Sequence, residues 1–96
     1  MTKYDVILAQ TDITYRQLDY WVRQGWLNPH HNGGSGTSRD FTGDEYTVAI
    51  RMARLVNRGF TPAAAARVAR ASVEAASGYV YLGQGLHLHI HDEGDR

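Results

Sequence analysis

The sequence predicts a mainly α fold with small β elements. Four helices are expected, with a short strand pair between the second and third and a β-hairpin at the end. Three observations carry this expectation. Helix start and stop signals bracket four segments of helical apolar spacing. A low-complexity stretch, Asn32-Gly33-Gly34-Ser35-Gly36-Thr37-Ser38, divides an aromatic first third from an alanine-rich second half. From Tyr79 onward the pattern changes to a period of 2. At 96 residues the chain has room for one core.

Residues 4–10 read as a short first helix. Thr11-Asp12-Ile13-Thr14 reads as a turn, since Asp tolerates the left-handed backbone of a tight turn. Thr14 is a suitable N-cap for a second helix over 15–24, and Gly25 is a natural stop. Two short helices joined by such a turn make a helix-turn-helix. In the second helix Leu18, Trp21 and Val22 fall at i, i+3, i+4 and should face a core. Arg16, Tyr20 and Arg23 fall at i, i+4, i+7 on another stripe, flanked by Tyr15 and Gln17. A helix that exposes arginine, tyrosine and glutamine at its N-terminal end is built like a recognition helix.

Trp26-Leu27 is apolar and expected to pack. Pro29 biases Asn28 toward extended backbone. Residues 27–41 then read as two short strands around the glycine-rich tip, a wing. Thr42-Gly43-Asp44-Glu45 has the Thr-x-x-Glu pattern of a capping box ahead of a third helix over 43–57, with Gly59 beyond its end. Thr61-Pro62 starts a fourth helix, with proline where its missing N–H is harmless. Ala63 to Ala76 continues it, and Gly78 closes it. Tyr79–Leu82 and Leu86–His91 then form a hairpin with a three-residue loop, Gly83-Gln84-Gly85. Val80, Leu82, Leu86, Leu88 and Ile90 are expected on one face, and Tyr79, Tyr81, His87, His89 and His91 on the other. A lone hairpin is marginal in water, so the apolar face needs something to pack on. The expected architecture is a winged helix-turn-helix domain over 1–78, a hairpin over 79–91 and an acidic tail over 92–96.

Formal net charge is zero, but the charges are unevenly placed. Asp92, Glu93 and Asp95 crowd the last five residues, and residues 1–91 carry a net +2. Nearly all basic groups are arginine, which suits phosphate and guanine edges better than lysine. The absence of cysteine excludes a disulfide scaffold, thiol chemistry and a cysteine-ligated zinc site. No apolar run is long enough for a signal peptide or a membrane span, and a cytoplasmic protein is expected. No phosphate loop, His-Glu-x-x-His or nucleophile elbow is present, so an enzyme is not expected.

The stretch Ile13-Thr14-Tyr15-Arg16-Gln17-Leu18-Asp19-Tyr20-Trp21, followed by Gly25-Trp26-Leu27-Asn28-Pro29, resembles the DNA-reading helix of the MerR family and its exit. Arg39-Asp40-Phe41-Thr42 is similar to that family's Arg-x-Tyr-Ser at the end of the wing. Gly59-Phe60-Thr61 is similar to its Gly-Phe-Ser between the last two domain helices. The resemblance covers residues 4–76. It departs at Asp12, where the family usually has glycine, and at the wing tip, which is long and glycine-rich rather than compact. It implies a small transcriptional regulator whose partner is double-stranded DNA, and repression by occupying a promoter is the simplest mechanism expected of it. Only about twenty residues follow the fourth helix, too few for the family's long dimerisation helix or effector domain. Neither a small-molecule effector nor a cofactor is therefore expected.

The candidate DNA-binding residues are Thr14, Tyr15, Arg16, Gln17, Tyr20, Arg23, His30, His31, Arg39 and Arg51. Arg16 is the candidate for a base edge or phosphate at the major groove. Tyr15 and Gln17 are candidate base readers. The resemblance makes Tyr20 a phosphate contact and Arg39 a wing contact to backbone or minor groove. Arg51, Arg54 and Arg58 make a further stripe, usually a solvated face, of which Arg51 lies nearest the helix start. Arg67, Arg70 and Glu74 read as surface, with an Arg70–Glu74 pair. His87, His89 and His91 would project to one side about 7 Å apart. Such alternation also follows from any half-exposed strand, so no metal site is expected. Tyr79, Tyr81, Leu86, Leu88 and Ile90 are candidates for a homodimer contact. Two other readings stand beside the regulator: an excisionase-type protein that bends DNA, and a protein-interaction module on a winged fold.

Overall fold

A computed structural model describes residues 3–31, 39–41, 43–75 and 77–91 of the chain. In order the elements are α1 (Lys3–Gln10), α2 (Tyr15–Arg23), β1 (His30–His31), β2 (Arg39–Asp40), α3 (Gly43–Asn57), α4 (Pro62–Ala75), β3 (Tyr79–Gly83) and β4 (Leu86–His89). This is the mainly helical, small-β architecture that the sequence predicts. β1 and β2 pair antiparallel, His30 opposite Asp40 and His31 opposite Arg39. The expected wing tip, Thr42 of the expected capping box and the acidic tail lie outside the described residues.

The local signals act as expected. α2 ends in a Schellman motif around Gly25 (φ +82°). The Trp26 N–H reaches the Trp21 carbonyl, and the Gly25 N–H reaches that of Val22. α3 ends in the same way, with Phe60 N–H on Leu55 and Gly59 N–H on Val56. At the start of α4 the Thr61 hydroxyl accepts the Ala64 N–H, and Pro62 occupies the first helical position.

One core joins these elements. Ile7, Ile13, Leu18, Trp21, Leu27 and Phe41 meet Val48, Ala49, Met52 and Ala53 of α3 and Ala65, Val68 and Ala69 of α4. Burying Leu18 and Trp21 stabilises α2 on this core by roughly 1.5–3 kcal/mol each. Among the described residues no helix is long and apolar enough to cross a membrane.

The hairpin docks β3 against α4. Val80 is buried, and Leu88 and Ile90 pack half-buried on the core, as the alternation predicts. The prediction fails at the tip, where Leu82 is 44% and Leu86 61% exposed. At the tip a register shift between Tyr81 and Gly83 pairs Gly83 with Leu86 and leaves Leu82 extra on β3. A bulge of this kind breaks the two-residue period and re-aims the strand. The loop is accordingly two residues, Gln84-Gly85, both with positive φ as a type I′ turn requires.

Candidate nucleic-acid interface

The second helix is fixed at both ends before any side chain is presented. Thr14 is its N-cap in an extended conformation (φ −95°, ψ 163°). Its hydroxyl accepts the Gln17 N–H at 3.1 Å, and the Gln17 side-chain carbonyl accepts the Thr14 N–H at 2.9 Å. This reciprocal capping box satisfies two otherwise orphaned donors. It also turns the Gln17 carbonyl oxygen inward to the helix start.

Tyr15, Arg16, Gln17, Tyr20 and Arg23 are all exposed; Arg16, Tyr20 and Arg23 share the stripe of α2 opposite Leu18 and Trp21, and Tyr15 and Gln17 flank it at the helix start. Tyr15 and Tyr20 are 60% and 52% exposed. Tyr20 sets its ring edge-on against Trp26, centroids 6.0 Å apart. Arg23 pairs with Asp19 at 2.7 Å, one turn back. The pair is solvent-exposed at the arginine and contributes little stability. Arg16 makes no hydrogen bond or ion pair among the described residues. It sits in the first turn of a helix that has no acidic residue there. A cation at that end opposes the helix dipole, so an arriving phosphate is favoured by both the side chain and the helix terminus.

Below the exit of α2 lies an ion pair that the sequence reading assigned otherwise. Glu45, buried in the first turn of α3, takes Arg70 of α4 at 3.1 and 2.8 Å, one guanidinium nitrogen on each oxygen. Its Oε2 also accepts the Asn28 N–H at 2.7 Å. Arg70 donates a further bond to the Trp26 carbonyl at 3.1 Å. Burial pushes the Glu45 carboxyl up, but the Arg70 and Asn28 hydrogen bonds and the Arg70 charge outweigh it and hold it below its ordinary value. The hydrogen bond to Glu45 raises Arg70 in turn, against desolvation. Arg70, though partly exposed, makes its direct side-chain bonds to Glu45, and the charge of Glu74 acts on it from farther off. Arg70 ties α3 and α4 to the segment between the exposed helix and the wing.

The amino-acid profile of the MerR helix-turn-helix regulatory proteins matches residues 7–72, from α1 into α4. The chain belongs to the MerR family. No curated protein and no solved structure gave a significant match. Membership makes this MerR protein a DNA-binding transcription regulator, and the exposed face of α2 is where its helix-turn-helix presents polar and aromatic side chains.

The remaining candidates of this MerR protein lie on elements other than α2. β1 and β2 set Arg39 opposite His31 at the base of the wing, and His30 opposite Asp40. Arg51 turns toward α4, where it donates to the Ser72 hydroxyl at 2.9 Å, itself bonded to the Ala69 carbonyl. On the hairpin His89 stacks on Tyr79 at 4.1 Å, nearly parallel, and His87 tilts over Tyr81 at 5.0 Å. Among the described residues no three His, Asp or Glu side chains are grouped to hold a metal. Of the dimer candidates, Tyr79, Tyr81 and Leu86 are exposed, while Leu88 and Ile90 are spent on the chain's own core.

Sequence reasoning missed the Glu45–Arg70 pair as part of the site's support. One signal for it existed. Glu45 precedes Val48, Ala49 and Met52 by three, four and seven residues, so it shares the buried stripe of α3. A carboxylate on such a stripe demands a partner.

Proposed function

We propose that this MerR-family protein is a sequence-specific regulator that represses by occupying a promoter. In this reading α2 enters the major groove, Arg16 contacts a base edge or a phosphate, and the tyrosines beside it contribute. The wing, with His30, His31 and Arg39, lies on adjacent backbone. The observation that carries the reading is Arg16. It is an exposed guanidinium with no hydrogen bond or ion pair among the described residues, on a helix held by a capping box, a Schellman motif and two buried core residues.

Tyr15, Tyr20 and Arg23 have weaker standing, since Arg23 already has Asp19. Thr14 and Gln17 serve the reading mainly by fixing the helix start. Arg51 is engaged with Ser72 and belongs more to the packing of α3 on α4.

The regulator acts as a homodimer on paired half-sites in this proposal. Tyr79, Tyr81 and Leu86 supply the contact, and Leu82 joins them through the bulge. The test is selection of bound duplexes from a randomised library. An inverted repeat with a fixed spacing is the expected outcome. A single short motif would remove the dimer from the proposal. Failure to enrich any motif would remove sequence-specific recognition.

A further inference from the structure

The rings of Tyr20 and Trp26 stand nearly perpendicular, at 80°, with their centroids 6.0 Å apart. We propose that Trp26 is a positioning residue for DNA recognition: its ring fixes the Tyr20 side chain, whose hydroxyl donates to a backbone phosphate. The proposal rests on the reading of α2 as the helix that enters the major groove.

Three observations carry it. The first is where Trp26 stands. Its N–H closes the Schellman motif on the Trp21 carbonyl, and a residue in that place sets its side chain against the last turns of the helix. Tyr20 is the residue it meets there. Such a contact by itself stabilises only the helix end.

The second is how firmly Trp26 is held. Besides the N–H bond to Trp21, its carbonyl accepts Arg70 at 3.1 Å. Arg70 is held in turn by both oxygens of Glu45. The half-buried indole packs on the core. A backbone bonded on both sides and a ring lodged on the core make a fixed platform.

The third is what rests on that platform. Tyr20 is exposed, and its hydroxyl makes no hydrogen bond among the described residues. It shares its stripe of α2 with Arg16 and Arg23, four residues before it and three after. Tyrosine hydroxyls and guanidiniums are both phosphate donors. The edge-to-face contact restrains the phenol before DNA arrives, so less side-chain freedom is lost on binding. The phenol is neutral and touches no base in this arrangement. Trp26 therefore sets affinity for all sequences alike and leaves the number of displaced counterions unchanged.

The test is fluorescence anisotropy of the full chain on a duplex selected from a randomised library and on a scrambled one, across a salt series. Wild type is compared with Tyr20→Phe, Trp26→Leu, Trp26→Phe and the double variant Tyr20→Phe with Trp26→Leu. On both duplexes Tyr20→Phe should weaken binding about tenfold and Trp26→Leu about three- to tenfold, with the salt slope unchanged. Trp26→Phe keeps a ring and should recover most of the affinity. The double variant should bind no more weakly than Tyr20→Phe alone.

A double variant that shows the product of the two single losses would make Trp26 a structural residue only and overturn the proposal. A smaller salt slope in Trp26→Leu would overturn it too, since displaced arginines would then account for the loss. Weakened Tyr20→Phe beside unaffected Trp26→Leu would overturn the positioning role and leave the reading of α2 standing. Wild type that binds neither duplex would remove that reading and the proposal together. One further measurement needs no variant. Proton spectra of the free wild-type chain should show Overhauser contacts between the two rings and a single Tyr20 rotamer, and rotamer averaging at Tyr20 would overturn the proposal.

Discussion

Glu45 and Arg70 meet through two nitrogen–oxygen contacts of 3.1 and 2.8 Å across α3 and α4, and each then reaches a backbone group just beyond α2. Glu45 takes the Asn28 N–H and Arg70 gives to the Trp26 carbonyl. Four groups from three parts of the chain thus satisfy one another where Asn28 leads into the wing. Removing either side chain strands the other in a partly buried place. Glu45→Gln and Arg70→Ala should each cost about 1–3 kcal/mol. For a domain of this size, each kcal/mol lowers the melting temperature by roughly 4–8 °C. Circular dichroism melts of both variants check this, and a change within error would sink the structural role given to the pair.

The same pair sets an acid dependence. The Glu45 carboxyl is held below its ordinary value of 4.5. The unfolded chain therefore takes up this proton first as pH falls. The stability that Glu45 contributes is fully present above its unfolded value and is lost as pH falls through the lower folded one. Urea titrations between pH 7 and pH 3 should show a loss below about 4.5 that is smaller in Glu45→Gln. Parallel curves for wild type and variant would contradict the assignment.

Thr14→Ala removes one arm of the capping box and should cost about 1 kcal/mol of stability. Gln17→Ala removes the other arm. Both should weaken DNA binding evenly across sequences, because they loosen the helix start without deleting the Arg16 contact. Binding to preferred and scrambled duplexes measures this. A selective loss for Gln17→Ala on the preferred duplex would instead make Gln17 a base reader.

Gly78 has φ +81°, and a Cβ there would collide with the Ile90 carbonyl oxygen. Its own carbonyl accepts the Ile90 N–H at 2.8 Å. Gly78→Ala should therefore pry the end of the hairpin from its base. The ring-current shifts of the stacked Tyr79–His89 pair would report it in proton spectra. Unchanged shifts would mean that the backbone there accommodates a side chain.

Much of this fold was legible because its signals are local. Thr14, Gly25, Gly59 and Thr61-Pro62 each act through bonds within a few residues, and each ends or starts a helix where its chemistry predicts. The face of α2 was legible too, since Leu18 and Trp21 fix its rotation. The Glu45–Arg70 pair was not, because its partners are 25 residues apart in the chain. Thr-x-x-Glu offered Glu45 a local role, yet both of its oxygens turn to Arg70, and one also to Asn28. The hairpin tip was misread for a related reason. Strict alternation assumes an unbroken ladder, and the bulge beside Gly83 breaks it. Leu82 is the extra residue there, and it stays exposed.

The central claim is that Arg16 reads DNA from the exposed face of α2. Fluorescence anisotropy on the selected duplex and a scrambled one, across a salt series, tests it with wild type and Arg16→Ala side by side. Arg16→Ala is expected to lose about 1–3 kcal/mol on the selected duplex and far less on the scrambled one. Equal weakening on both duplexes, with the salt slope falling by about one, would make Arg16 a phosphate contact alone. Unchanged binding of Arg16→Ala to both duplexes would contradict the claim outright.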